Sequence, residues 1–240
     1  MIAGEEGILI KYLYLILMKN QLGNAKQCKN LIKKGHVFIH EQCIYDPYYL
    51  IKKEDKIYVD GNSINAHPFQ YFMMNKPQGY ICASYDKENP YLLQLMKEKD
   101  CYCVGRLDKD TTGFVLLTND ASLSKKLLLP QNHVEKVYQV KTKYPIFKNY
   151  KTLFEQGIII DKTYLCQPAK LEMIDSYQCH VTLHEGKYHQ VKKMFMSLSN
   201  EVVSLKRISF AGILLDESLQ PGEYRHLNEE EMTILEKCLR

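Results

Sequence analysis

The chain has 240 residues, eight cysteines and a formal charge of +4. That length exceeds one typical domain of roughly 100–200 residues and points to a large domain plus a small module, while so small a net charge leaves a nucleic-acid partner to be decided by local basic faces. Isolated cysteines such as Cys28 and Cys179, without a basic-start secretory signal, argue against a disulfide framework and for a reducing cytoplasm.

The most apolar stretch, Ile8 to Met18 (ILIKYLYLILM), is interrupted by Lys11 and falls short of the ~18 residues that span a bilayer, so it predicts a core helix from Ile8 to Asn20 and no membrane association. A second helix is expected from Ala25 to Lys34, where Gly35 stops it. On it Ala25, Cys28, Leu31 and Ile32 share one face, and Lys26, Lys29 and Lys33 line another. Short extended runs follow, HVFIH and KIYVDG, the latter ending in an Asp60–Gly61 turn. A solvated lysine face is the plain reading of that helix. Taken together, two short helices, a basic second helix and trailing strands resemble the S4 RNA-binding domain, with Leu13–Ile16 standing where such domains usually carry Arg-Leu-Asp-Lys and Ala25–Lys26 where they carry Ser-Arg. The resemblance implies an RNA-binding module over residues 1–65, and the polar run Asn62–Pro68 reads as a linker.

Beyond it, over 66–240, strand-like segments (YFMMNKP, GFVLLTN, EKVYQVK, CHVTLHE) alternate with helical ones (PYLLQLMKE, SLSKKLLLP, YHQVKKMFMSL). The pattern predicts an α+β fold around a mixed, mainly antiparallel sheet. Within it GRLDKDTTGF crowds Arg106, Asp108 and Asp110 before an apolar strand, a loop position where catalytic groups are commonly displayed. Turn capping by either aspartate is the alternative use of those residues. On the helix YHQVKKMFMSL, Val191, Met194, Phe195 and Leu198 form the apolar face and leave Lys192 and Lys193 off it. Cys101, Cys103 and the histidines 180, 184 and 189 show no recognised zinc spacing, so no metal is expected.

GRLDKDTTGFVLLTND, EKVYQV and EGKYHQVKKMF, in that order, together with YFMMNKPQGY, LKRISFAGILLD and PGEYRHLNEEE, resemble the RsuA-type pseudouridine synthases over residues 70 to 232. The resemblance implies isomerisation of a uridine in ribosomal RNA, most closely the small-subunit 16S rRNA, without a cofactor. It makes Asp108 the catalytic carboxylate, either a nucleophile or the base that removes the C2′ proton. A carboxylate buried over a base would be driven toward its neutral form unless a cation faces it, and Lys192 matches the position that supplies one. Tyr138 matches the tyrosine that stacks on the target base, and Arg106 the arginine that fills the space left by a flipped nucleotide. Lys26, Lys29, Lys33, Lys76, Lys187 and Lys193 are the expected RNA contacts, and the partner is ribosomal RNA or a partial small subunit met by a monomer in the cytoplasm. Competing readings are a noncatalytic RNA-binding or ribosome-assembly protein, a large-subunit rRNA synthase, and a glycoside hydrolase pairing Asp108 with Asp110.

Overall fold

The computed structural model describes residues 11–52, 54–66 and 69–238. They divide into two compact units, one of residues up to 69 together with 228–233, the other of 70–227 with the residues from 234 onward. The sequence placed the division at 65/66; the compact units part at 69/70.

In the first unit, β1 (Lys11–Tyr12) pairs with β4 (Leu50–Ile51), and between them come α1 (Leu13–Lys19), α2 (Ala25–Lys33), β2 (Val37–Ile39) and β3 (Gln42–Cys43). The expected first helix is therefore shorter: Lys11 and Tyr12 are extended, and positions 8–10 lie outside the described residues. The reason is that the first amides of α1, at Leu13 and Tyr14, donate to the carbonyls of Tyr49 and Pro47, which takes the place of a preceding helical turn. At α2, Asn24 and Gln27 form a reciprocal capping box. Cys28 and Ile32 turn inward against Leu13, Ile16 and Leu17, and Lys26 and Lys33 face out. A second correction concerns the linker. Asn62–Ile64 is strand β6, hairpinned to β5 (Ile57–Val59), because Asp60 (φ 49°) and Gly61 (φ 80°) both adopt the left-handed conformation that a two-residue hairpin turn requires.

The second unit is built on a nine-stranded sheet. Its strands are β7 (Tyr71–Lys76), β8 (Tyr102–Cys103), β9 (Thr112–Thr118), β10 (Lys136–Thr142), β13 (Lys170–Met173), β14 (Gln178–Leu183), β15 (Val202–Phe210), β16 (Ile213–Leu214) and β17 (Tyr224–His226). A separate hairpin joins β11 (Ile159–Ile160) to β12 (Tyr164–Leu165). The sheet order is β13-β14-β10-β15-β9-β7-β17, with β8 added to β9 and β16 to β15. Every pairing is antiparallel except β15 with β9. Interior strand β7 is buried at every residue and β9 at all but its first, which is why both carry near-continuous apolar runs; β14 alternates, as a strand covered on one face does. Helices α3 (Ala121–Leu128), α4 (Tyr150–Gln156) and α5 (Gln190–Ser197) flank it, and the core joins Tyr150, Phe154 and Phe195 to Val140, Leu171 and Val181. A final helix, α6, spans Glu229–Lys237.

The helix expected over Pro90–Glu98 is reduced to one 3-10 turn, Leu92–Leu95. Its neighbourhood is extended instead: Ile81 donates to the Pro90 carbonyl and Leu92 to the Ile81 carbonyl, so backbone groups needed for an α-helical turn are engaged elsewhere. Among the described residues no helix is long and apolar enough to cross a membrane, and all eight cysteines are free thiols.

Candidate active site around Asp108

The parallel contact between β9 and β15 fixes where the charged loop 105–111 sits. At Gly113 (φ 97°) the chains approach so closely that a Cβ would lie 2.2 Å from the Arg207 carbonyl oxygen, so only glycine fits there. Arg207, almost wholly buried, donates from Nε to the Phe114 carbonyl at 2.8 Å and locks the same crossing from the other strand.

Just ahead of this crossing the loop is held from beneath. Lys76, at the end of β7, donates to the carbonyls of Thr111 (2.6 Å), Pro77 (3.1 Å) and Lys109 (3.2 Å). Three acceptors satisfy all three protons of an ammonium. Burial pulls the Lys76 pKa down from the usual lysine value, against the attraction of Cys82, Asp110 and Asp108. This corrects the expectation that Lys76 contacts RNA. The side chain is fully buried because the whole of β7 is covered, and its charge organises the loop that carries Asp108. Gly79 N–H adds a bond to the Lys109 carbonyl at 2.8 Å, and Thr111 N–H closes a turn on Asp108 O at 3.1 Å. Leu107 anchors in the core while its N–H donates to the Cys82 thiol at 3.3 Å. A hydrogen bond from Cys103 lowers the Cys82 pKa despite burial, and the same bond raises that of Cys103.

With Leu107 tucked in, Asp108 turns outward to meet α5. Lys192 donates to Asp108 Oδ2 at 3.0 Å and to Asp110 Oδ1 at 2.6 Å, and His189 Nε2 lies 3.5 Å from Asp108 Oδ1. Both oxygens of Asp108 thus face nitrogen. Burial alone would lower the Lys192 pKa, but hydrogen bonds to Asp110 and Asp108 carry it above the usual lysine value. Burial would raise that of Asp110, and Lys192 outweighs it, leaving the carboxyl below the ordinary aspartate value. A glycosidase acid needs the opposite displacement to hold a proton near neutrality, so Asp110 is unsuited to that role.

Tyr138 is buried in the centre of β10 and shares its core cluster with Leu107 and Val191, the neighbours of Asp108 and Lys192. Arg106 is exposed and has neither ion pair nor side-chain hydrogen bond among the described residues. Lys193 pairs with Asp161 at 2.6 Å, and the Lys187 ammonium lies 4.6 Å from the Tyr164 ring centre. In the first unit, the Lys29 ammonium bonds the Tyr48 hydroxyl at 2.8 Å and lies over the rings of Tyr14 and Tyr48.

Two participants escaped the sequence. His189 reaches Asp108 only because its backbone takes a left-handed conformation (φ 55°) at the start of α5. Buried Glu185 accepts from Tyr164 Oη (2.7 Å), Gln167 N (2.9 Å) and Gln190 Nε2 (2.6 Å), fixing the loop that leads into the helix. A glutamate and a glutamine five apart across a glycine were the only available trace. Among the described residues no group of three or more His, Cys, Asp or Glu could hold a metal.

Comparison with known proteins yields the same family from three directions. Residues 70–197 match the family model described as RNA pseudouridylate synthase. The chain is 38% identical over 216 residues to a ribosomal small subunit pseudouridine synthase A of Haemophilus influenzae, covering 88% of this chain and 93% of that one. It is 38% identical over 229 residues to an uncharacterized RNA pseudouridine synthase of Bacillus subtilis, covering 92% and 96%. A crystal structure of a pseudouridylate synthase superimposes with a TM-score of 0.68 at 36% identity, over 93% of this chain and 99% of the other. With an aspartate on the GRLD loop paired to a lysine on the helix of the third motif, and similarity running nearly end to end, the chain belongs to the RNA pseudouridylate synthase family.

Proposed function

We propose that the chain isomerises one uridine of small-subunit ribosomal RNA to pseudouridine, with Asp108 as the catalytic carboxylate. The observation that carries this reading is the Asp108–Lys192 pair at 3.0 Å, brought together from positions 84 residues apart. The reaction breaks the N1–C1′ bond, turns the uracil and joins C5 to C1′. A carboxylate either adds covalently or takes the C2′ proton, and the Lys192 ammonium holds it in position from 3.0 Å. Tyr138 stacks on the target base. Arg106, exposed on the loop, enters the RNA stack where the uridine leaves, offsetting the few kcal/mol of extrusion.

Lys187 and Lys193 in this unit, and Lys26, Lys29 and Lys33 in an S4-like first unit, contact phosphates and position the RNA without reading its bases. The protein acts as a cytoplasmic monomer on ribosomal RNA or on a partial small subunit. The small-subunit assignment draws on the relatives named ribosomal small subunit pseudouridine synthase A. Incubation with unmodified 16S and 23S transcripts, followed by carbodiimide-dependent primer-extension mapping, tests it. One new stop in 16S rRNA is expected, and stops confined to 23S rRNA would overturn the small-subunit assignment.

A further inference from the structure

The segment 184–189, between β14 and α5, is held at several points. Glu185 takes three hydrogen bonds, Lys187 N–H donates to Gln190 Oε1 at 2.9 Å, and the His184 ring bonds the His133 carbonyl at 2.9 Å. Yet this braced segment carries Tyr188, which at 73% has the highest relative exposure among the exposed large hydrophobic side chains described. Its ring stacks on that of His189, with centroids 3.8 Å apart and planes inclined by 21°. His189 in turn reaches toward Asp108 Oδ1. The Lys193 ammonium lies 5.2 Å from the Tyr188 ring centre. Asp108 thus meets the imidazole at its Nε2 edge and the phenol lies on the imidazole face, leaving Tyr188 open to solvent beside the Lys193 ammonium, which also pairs with Asp161.

A lone exposed ring is ordinary; what sets Tyr188 apart is that it is held on a braced segment and stacked on the imidazole that reaches Asp108. A flat ring held in advance binds with little ordering cost, and unpaired RNA bases stack on such rings whatever their identity. We propose that the Tyr188–His189 stack is a binding site for the base of a nucleotide flanking the target uridine, with Lys193 supplying positive charge at its edge. The inference rests on the reading that RNA brings a uridine to Asp108, and it adds a contact outside the catalytic pair. Stacking here sets how tightly RNA is held near the site and leaves the chemical step unaltered.

The absence of tryptophan from the chain provides a direct test, since Tyr188→Trp installs a single fluorophore on the platform. Unmodified 16S transcript is titrated against Tyr188→Trp in the Asp108→Asn background, and the wild type is assayed on the same transcript by carbodiimide mapping. Quenching that saturates with RNA binding is expected. Tyr188→Leu, which keeps apolar bulk without a π face, should raise the half-saturating RNA concentration roughly tenfold and leave the saturating single-turnover rate within about twofold of wild type. Unquenched fluorescence on an RNA that the wild type modifies would overturn the platform alone, as would a lowered saturating rate with unchanged affinity, which would make Tyr188 a support for His189. Quenching by a transcript that the wild type binds but leaves unmodified would support the platform and overturn the rRNA substrate instead. An unquenched ring to which a protein partner binds would likewise end the RNA proposal.

Discussion

Helices α2 and α5 carry the same kind of amphipathic pattern, apolar residues on one side and lysines off it, yet the fold uses them differently. On α5 each of the two lysines meets an aspartate from another segment, Lys192 with Asp108 and Asp110, Lys193 with Asp161. On α2, Lys26 and Lys33 are exposed without ion pairs among the described residues, and Lys29 rests on tyrosines. Opposing carboxylates fix Lys192 in place, whereas Lys26 and Lys33, without one among the described residues, remain solvated charges available to phosphates.

The sharpest way to break the comparison is to remove the carboxylate. Asp108→Asn retains shape but neither charge nor nucleophilicity, and single-turnover pseudouridine formation should fall below detection while the melting temperature and RNA affinity hold. Removing the cation comes next. Without Lys192, Asp108 and Asp110 lose the ammonium that both contact. In Lys192→Met the saturating single-turnover rate should therefore fall well below wild type while RNA affinity holds, and an unchanged rate would detach Lys192 from the chemistry.

The contact between Lys192 and Asp110 predicts a pH dependence of stability with two signs. The depressed Asp110 pKa contributes stability above its unfolded value near 3.9, lost as pH falls. The raised Lys192 pKa contributes below about 10.4 and is lost as pH climbs past its folded value. Lys192→Met should lose most relative to wild type between these limits, as read by denaturant midpoints across pH.

On α2 the expected effect is smaller and of another kind. Replacing Lys26, Lys29 and Lys33 by glutamine should flatten the slope of log affinity against log salt by about 2, at ~0.7 per phosphate contact on single strands, with the saturating rate unchanged. An unaltered slope would make the α2 face a plain solvated surface. The smallest effect is expected from Tyr138→Phe, which keeps the ring and removes only the hydroxyl. Its single-turnover rate should stay within about tenfold of wild type, whereas Tyr138→Ala also leaves a core void costing about 3–5 kcal/mol by analogy with other large aromatics.

These contrasts show what was legible in the sequence. Alternating and continuous apolar runs foretold β7, β9, β10 and β14, and the spacing on α5 separated Lys192 from its apolar face. Asp108 and its cation could be named because their motifs sit at recognisable places in the chain. Lys76 could not be read, since a lysine bound to backbone carbonyls has no side-chain partner to betray it, and carbonyls are the same at every position. The contacts of His189 with Asp108 and of Asp110 with Lys192 were illegible for a related reason. They depend on one left-handed backbone residue and on a loop conformation that local propensity does not encode.

The burial of Lys76 carries one more consequence. Mobile ions screen exposed charges over ~8–10 Å at ordinary ionic strength but reach buried groups far less, and Lys76, beneath the loop that carries Asp108, is fully buried. Salt concentrated enough to strip RNA from exposed lysines therefore leaves this internal clamp intact. Ionic strength should act as a release valve on the protein, governing how long RNA stays without loosening the loop that holds Asp108.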